Sequence, residues 1–177
     1  MSTYLKQGDP LWSRTKLGHG PQTIGKSGCL LCVYTEIARH FALDVVTAPT
    51  PLTLNKVALA QGAFIGSGLI QSKLAHALGL AIDDVITDLA AMRTELKTAS
   101  DERVFIVHVD HGGSKAADHF ILAVEFDHIQ QSVLCADPAT GAVVRLPISS
   151  ITAPAGWGGK NYVIRSVRRV TKVQSSL

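Results

Sequence analysis

An α+β fold is the class this sequence predicts. Apolar residues recur at helical spacing between residues 29 and 98, and β-rich apolar runs replace them after residue 102. The two patterns follow one another and do not alternate, which argues against βαβ units. The later runs are closely spaced and separated by turn residues, as in an antiparallel sheet. The chain has 177 residues, 46% of them hydrophobic and 18% charged, enough for one domain (1–177) with a real core.

Residues 1–28 read as an irregular arm broken by Gly8, Pro10, Gly18, Gly20, Pro21, Gly25 and Gly28, with Tyr4 and Trp12 anchoring it to the body. An ordered arm without regular structure is often functional. Residues 29–43 form the first helix, because Leu30, Leu31, Tyr34, Ile37, Ala38 and Phe41 share a stripe. Pro49 and Pro51 end the next loop, and Thr53 is positioned to cap a helix over 54–61. Residues 69–78 make another helix, stopped by Gly79. A short strand is predicted over 80–86, then a helix over 88–98 capped by Thr87, with Leu89, Met92 and Leu96 inward. Strands follow at 104–109, 120–126, 132–136, 142–146 and 162–170.

The formal charge of +3 is thinly spread. The one basic cluster, Arg165, Arg168, Arg169 and Lys172, lies on a predicted strand where such residues face water. No aromatic platform is interleaved with it, so nucleic acid is not an expected partner. No run is long enough to span a bilayer, and the low-charge stretch 57–70 is broken by Gly62, Gly66 and Gly68, so no membrane partner is expected. Residues 1–12 lack the apolar core of a secretion signal. A cytoplasmic location is therefore expected, and release by another route or by lysis fits the same sequence. Three cysteines cannot all pair within one chain, which fits a reducing compartment.

Cys29 stands where the glycine-bearing loop turns into the first helix. A thiol there meets the positive end of the helix dipole and unpaired backbone N–H groups, a setting that favours the attacking thiolate. Taken by position alone, a small buried hydrophobe is an equally good reading. Cys29-x-x-Cys32 also has the form of a redox pair, but a polar loop precedes it where that motif wants an apolar strand. The pair has no second C-x-x-C and no suitably spaced histidines to complete a zinc site, so neither a metal nor another cofactor is expected. Cys32 is predicted to pack on the helix, and Cys135 to lie in the core.

His119 is the best base, at the mouth of an apolar strand beside the polar segment 112–115. His19, His40, His76, His108 and His128 are less well placed, and His111 is a reserve. Asp137 ends the strand that follows His119 through a hairpin near Asp127 and His128. If those strands pair antiparallel, its carboxylate comes near the imidazole and can orient it. Asp-Pro-x-x-Gly is equally a plain turn sequence. Asp118 adjoins His119, so it points to the opposite face. The Cys29 N–H is one oxyanion donor, and Gln7 or Gln22 could supply a second.

In this order the residues resemble the C39-like branch of the papain-like cysteine peptidases. The resemblance rests on Gln7-Gly8-Asp9-Pro10-x-Trp12, Leu17-Gly18, Thr23-Ile24-x-x-x-Gly28-Cys29, Leu54-Asn55 and Gly66-x-Gly68-Leu69. It continues with Val107-His108-Val109, Asp118-His119-Phe120-Ile121-Leu122 and Ala136-Asp137-Pro138-Ala139-Thr140-Gly141, so that it covers residues 6–147. It implies a papain-like fold, a helical part carrying the nucleophile packed on an antiparallel sheet. It also implies Cys29 as nucleophile, His119 as base, Asp137 as orienter and Gln7, in preference to Gln22, as oxyanion glutamine. The departure is Leu30-Leu31-Cys32, where the family usually has small or polar residues.

The activity implied is hydrolysis of a peptide or amide bond through an acyl-enzyme. The substrate would be a peptide or amide, a peptidoglycan stem peptide among the candidates, in a bacterial or phage setting. The alternative is a non-catalytic papain-like module that binds a peptide or cell-wall fragment or assembles with a partner.

Overall fold

The computed structural model describes residues 4–45, 47–111, 117–150, 152–153 and 161–173, with only the backbone of residues 111, 117, 118, 152 and 153. The helices α1 (Ile24–Ser27), α2 (Cys29–His40) and α3 (Pro51–Ala60) come first. A small hairpin of β1 (Phe64–Ile65) and β2 (Gly68–Leu69) follows, then α4 (Gln71–Ala77), β3 (Leu80–Ile82) and α5 (Leu89–Leu96). The rest is sheet: β4 (Arg103–His111), β5 (Ala117–Asp127), β6 (Ser132–Asp137), β7 (Ala142–Pro147), β8 (Thr152–Ala153) and β9 (Tyr162–Lys172). The architecture is α+β, with N-terminal helices packed on a large antiparallel sheet, as the succession of periods predicts.

The strand order is β3-β9-β4-β5-β6-β7, and every neighbouring pair is antiparallel. β8 pairs with β9 and also lies against β7, so the sheet curls toward closure. Alternation along the strands sends side chains to two separate cores. Ile106, Leu122 and Ala136 meet Leu31, Tyr34 and Ile37 of α2 together with Leu54 and Leu74. Phe105, Val107, Ile121, Ala123, Val133, Cys135, Leu146 and Val167 fill the inside of the curl, which Met92 and Leu96 of α5 cover. Burying a side chain such as Leu31 or Leu122 contributes roughly 1.5–3 kcal/mol.

Several element boundaries differ from the predicted ones for local reasons. The cap of α3 is Thr50: its hydroxyl accepts from Thr53 N, while Thr53 Oγ1 accepts from Thr50 N. Thr53 is thus the reciprocal partner in a capping box, with Pro51 as first helical residue. Leu69 belongs to β2, because Gly66 at φ 61° folds the chain back and pairs Phe64 with Leu69. Asp88, not Thr87, caps α5 by accepting from Ala91 N at 2.8 Å. The predicted strand over 80–86 shrinks to Leu80–Ile82, beyond which only Ile86 makes a bridge, to Val167. The first helix ends at His40, and Ala42 takes a positive φ of 48°.

The arm is less irregular than its composition suggests. It holds α1 and a bridge between Lys16 and Thr23. Leu5 and Trp12 are buried, as is the Glu36 carboxylate that accepts the Leu5 N–H. Burial pushes the Glu36 pKa up, against the opposing pull of that hydrogen bond and of Arg39. Two of the four C-terminal cations form ion pairs: Arg165 with buried Asp110 at 2.5 Å, and Arg169 with Asp83. Among the described residues no helix is long and apolar enough to cross a membrane.

Candidate active site

The sequence brings Cys29 to the first position of α2 because Gly28 sits at the N-cap. A Cβ at Gly28 would lie 2.5 Å from the Ile24 carbonyl oxygen, so only glycine lets α1 run this closely into α2. Gly28 offers no side chain to cap the helix. Cys29 is partly exposed and lines a cleft of about 280 Å³ with Gln7, Lys26, Leu69, His119 and Phe120. Cys32 and Cys135 are fully buried, and desolvation drives both thiols far up in pKa. All three cysteines are free thiols. Cys32 and Cys135 are therefore packing residues, as their positions predict.

His119 is positioned by β5. The register pairs Leu122 with Ala136, so Asp137, one residue further along β6, is the diagonal neighbour of His119. His119 Nε2 donates to Asp137 Oδ1 at 2.8 Å, and both side chains are buried. This is the juxtaposition that an antiparallel hairpin predicts. His119 and Cys29 line the same cleft. Desolvation pulls the imidazole pKa down, but the interactions with Asp137 and Cys29 and the charges of both outweigh it, so the value is pushed up to about 9. Burial likewise opposes ionisation of Asp137. The hydrogen bonds from His119, Ala139 N and Tyr162, with the imidazolium charge, win and hold the carboxyl below its ordinary value.

Asp137 has two further donors that the sequence did not suggest. Tyr162 Oη donates to Oδ2 at 3.0 Å and Thr140 Oγ1 donates to the same oxygen at 3.1 Å. The Tyr162 ring centroid lies 5.5 Å from that of His119. Tyr162 reads only as the first residue of the last strand. The available signal is that a buried tyrosine hydroxyl needs a partner.

Gln7 lines the cleft. Its Nε2 donates to Gly25 O at 3.1 Å, its backbone N–H donates to Pro138 O at 2.7 Å, and its Oε1 is buried with no hydrogen-bond partner among the described residues. Gln22 is exposed and is not among the residues lining the cleft; its backbone N–H donates to Ser67 Oγ, and its carbonyl accepts from Leu17 N. His108 stacks on Phe120 with centroids 4.2 Å apart, and His40 Nε2 contacts Asp101 O. The side chains of His111 and Asp118, and residues 112–115, lie outside the described residues.

No family model matches the chain, and no curated protein matches it. Among solved structures, it is similar to the N-terminal peptidase C39-like domain of the toxin secretion ATP-binding protein from Vibrio parahaemolyticus. The TM-score is 0.49 at 12% identity, covering 81% of this chain and 96% of that chain. This is a remote structural likeness.

Proposed function

We propose that the chain is a single papain-like domain and a cysteine hydrolase acting on a peptide or amide bond. The observation that carries the reading is a cleft lined by Cys29, at an uncapped helix start, and by an imidazole that is itself hydrogen-bonded to a buried carboxylate. With Nε2 committed to Asp137, Nδ1 is the ring nitrogen left for the thiol. His119 takes the proton from Cys29 Sγ or already holds it in an imidazolium–thiolate ion pair, the form its raised pKa favours, and the thiolate attacks the substrate carbonyl carbon. The carbonyl oxygen becomes an oxyanion that accepts from the Cys29 N–H and from Gln7 Nε2, whose second hydrogen is not used by Gly25 O.

The His119 imidazolium then gives its proton to the leaving nitrogen as the C–N bond breaks, leaving a thioester. Water, deprotonated by His119, attacks that thioester and restores the thiol. Asp137 holds the ring orientation and favours the imidazolium. Leu17, Leu30, Leu31, Leu69 and Phe120 line the cleft and fit an apolar group beside the scissile carbonyl.

Trapping with electrophilic peptides tests this, read by intact mass. One adduct is expected on the wild type and none on Cys29→Ala. The rate in His119→Ala is expected to fall by at least ~100-fold, the scale of general acid–base contributions. Equal trapping of the wild type and Cys29→Ala, or an unchanged rate in His119→Ala, would overturn the reading.

A further inference from the structure

We propose that Tyr162 is a positioning residue of this site, its hydroxyl anchoring the second oxygen of Asp137 so that the first stays aimed at the His119 ring. The inference rests on the reading of Cys29 and His119 above. A carboxylate has about four acceptor positions, and Asp137 uses one pair on each oxygen. Oδ1 takes His119 Nε2 at 2.8 Å and Ala139 N at 2.9 Å. Oδ2 takes Thr140 Oγ1 at 3.1 Å and Tyr162 Oη at 3.0 Å. Donors on both oxygens fix the plane of the carboxylate, and the bond to Nε2 lies in the arrangement they set.

The four donors differ in where they come from. Ala139 and Thr140 belong to the turn that carries Asp137, and they move with it. Tyr162 opens β9, which lies on the far side of β4 from β5. Its side chain is 0% exposed, so the hydroxyl is held by packing and not by solvent. Tyr162 therefore ties the carboxylate to the body of the sheet. A phenylalanine would fill the same space without the bond to Asp137. Among the described residues, the titratable groups that act on the pair include Cys29 from α2, Tyr162 from β9 and, toward Asp137, Cys135 from β6.

The test follows the low-field His119 ring N–H proton resonance and the iodoacetamide alkylation rate of Cys29 against pH. Losing one donor to an ionised group makes that group take up a proton at higher pH. In Tyr162→Phe the acid midpoint at which the low-field resonance disappears is expected to rise by about one pH unit, the equivalent of one charge-assisted hydrogen bond. Mere packing by the ring leaves that midpoint in place. Site-specific 3-fluorotyrosine at position 162 keeps the shape, strengthens the donor and is expected to move the midpoint down.

A midpoint unmoved in Tyr162→Phe overturns the inference. Should Tyr162→Phe not fold, a midpoint unmoved by the fluorotyrosine does the same. Failure of the catalytic reading is distinguishable, because it appears as an alkylation profile identical in wild type and His119→Ala whatever happens at position 162.

Discussion

The His119–Asp137 pair couples the site to pH. The folded-state pKa of His119 is raised from 6.5 to about 9. Its interactions with Asp137 and Cys29 therefore contribute stability in full below about 6.5, progressively less as pH rises, and little above about 9. Asp137 runs the other way. Its folded pKa is depressed, so its contribution is present above the ordinary value of 3.8 and is lost as pH falls through the lowered value. In Asp137→Asn the alkaline loss of stability is expected to shift to lower pH, because the imidazolium loses its counter-charge. Thermal melts across that range check this, and a melting profile unchanged between the two proteins would contradict it. At this scale the sequence was legible where a local rule applied. A hairpin predicts that the end of one strand meets the start of the other, and Asp137 meets His119 in that way. Tyr162 was not legible, because its partnership crosses from β9 past β4 and β5 to the end of β6 and no sequence spacing encodes that.

At the scale of elements, the junction of α1 and α2 sets the direction of the nucleophile. Gly28→Ala would press a Cβ against the Ile24 carbonyl oxygen at 2.5 Å, with Ile24 Cγ2 at 2.7 Å and Cα at 2.8 Å. Backbone cannot yield as a flexible side chain does, so the variant is expected to lose about 1–3 kcal/mol, the usual cost of overpacking. Urea denaturation measures that loss, and a variant as stable as the wild type would mean that the junction relaxes freely. Helices α2 to α5 were readable from apolar spacing, whereas the four-residue α1, the caps and the two-residue strands were not. Thr50 and Thr53 are both good cap residues, and the choice between them depends on Pro51 taking the first helical position. The β1–β2 hairpin has only two residues in each strand, too few for a period to declare itself.

For the molecule as a whole, the sheet is the partition between two cores that share strands but not side chains. Phe105 belongs entirely to the core inside the curl and is 0% exposed. Phe105→Ala is expected to cost about 3–5 kcal/mol, the range for a deleted core aromatic. The loss should leave the helix-side packing of Cys29 largely in place, because distant sites add independently. Chemical denaturation, followed by alkylation of Cys29 in the folded variant, checks both parts. A large fall in alkylation without unfolding would show that the cores are coupled. Helices followed by an antiparallel sheet could be read from the change of period. The strand order could not, because β9 joins β3 to β4 from the far end of the chain, and side-chain alternation is the same whichever neighbours a strand takes.

One backbone bond, from Gln7 N–H to Pro138 O, carries a consequence for the order of assembly. Gly141, at φ 72°, has the Tyr4 carbonyl oxygen and Lys6 Cβ each 3.2 Å from where its own Cβ would be, so the arm is seated directly on the turn that follows Asp137. During synthesis the arm emerges well before its seat, which follows β6. The arm must wait undocked while most of the sheet is made, and Gln7 reaches the cleft only after the turn beyond Asp137 exists. A nascent chain thus carries its thiol early and completes the surroundings of that thiol late.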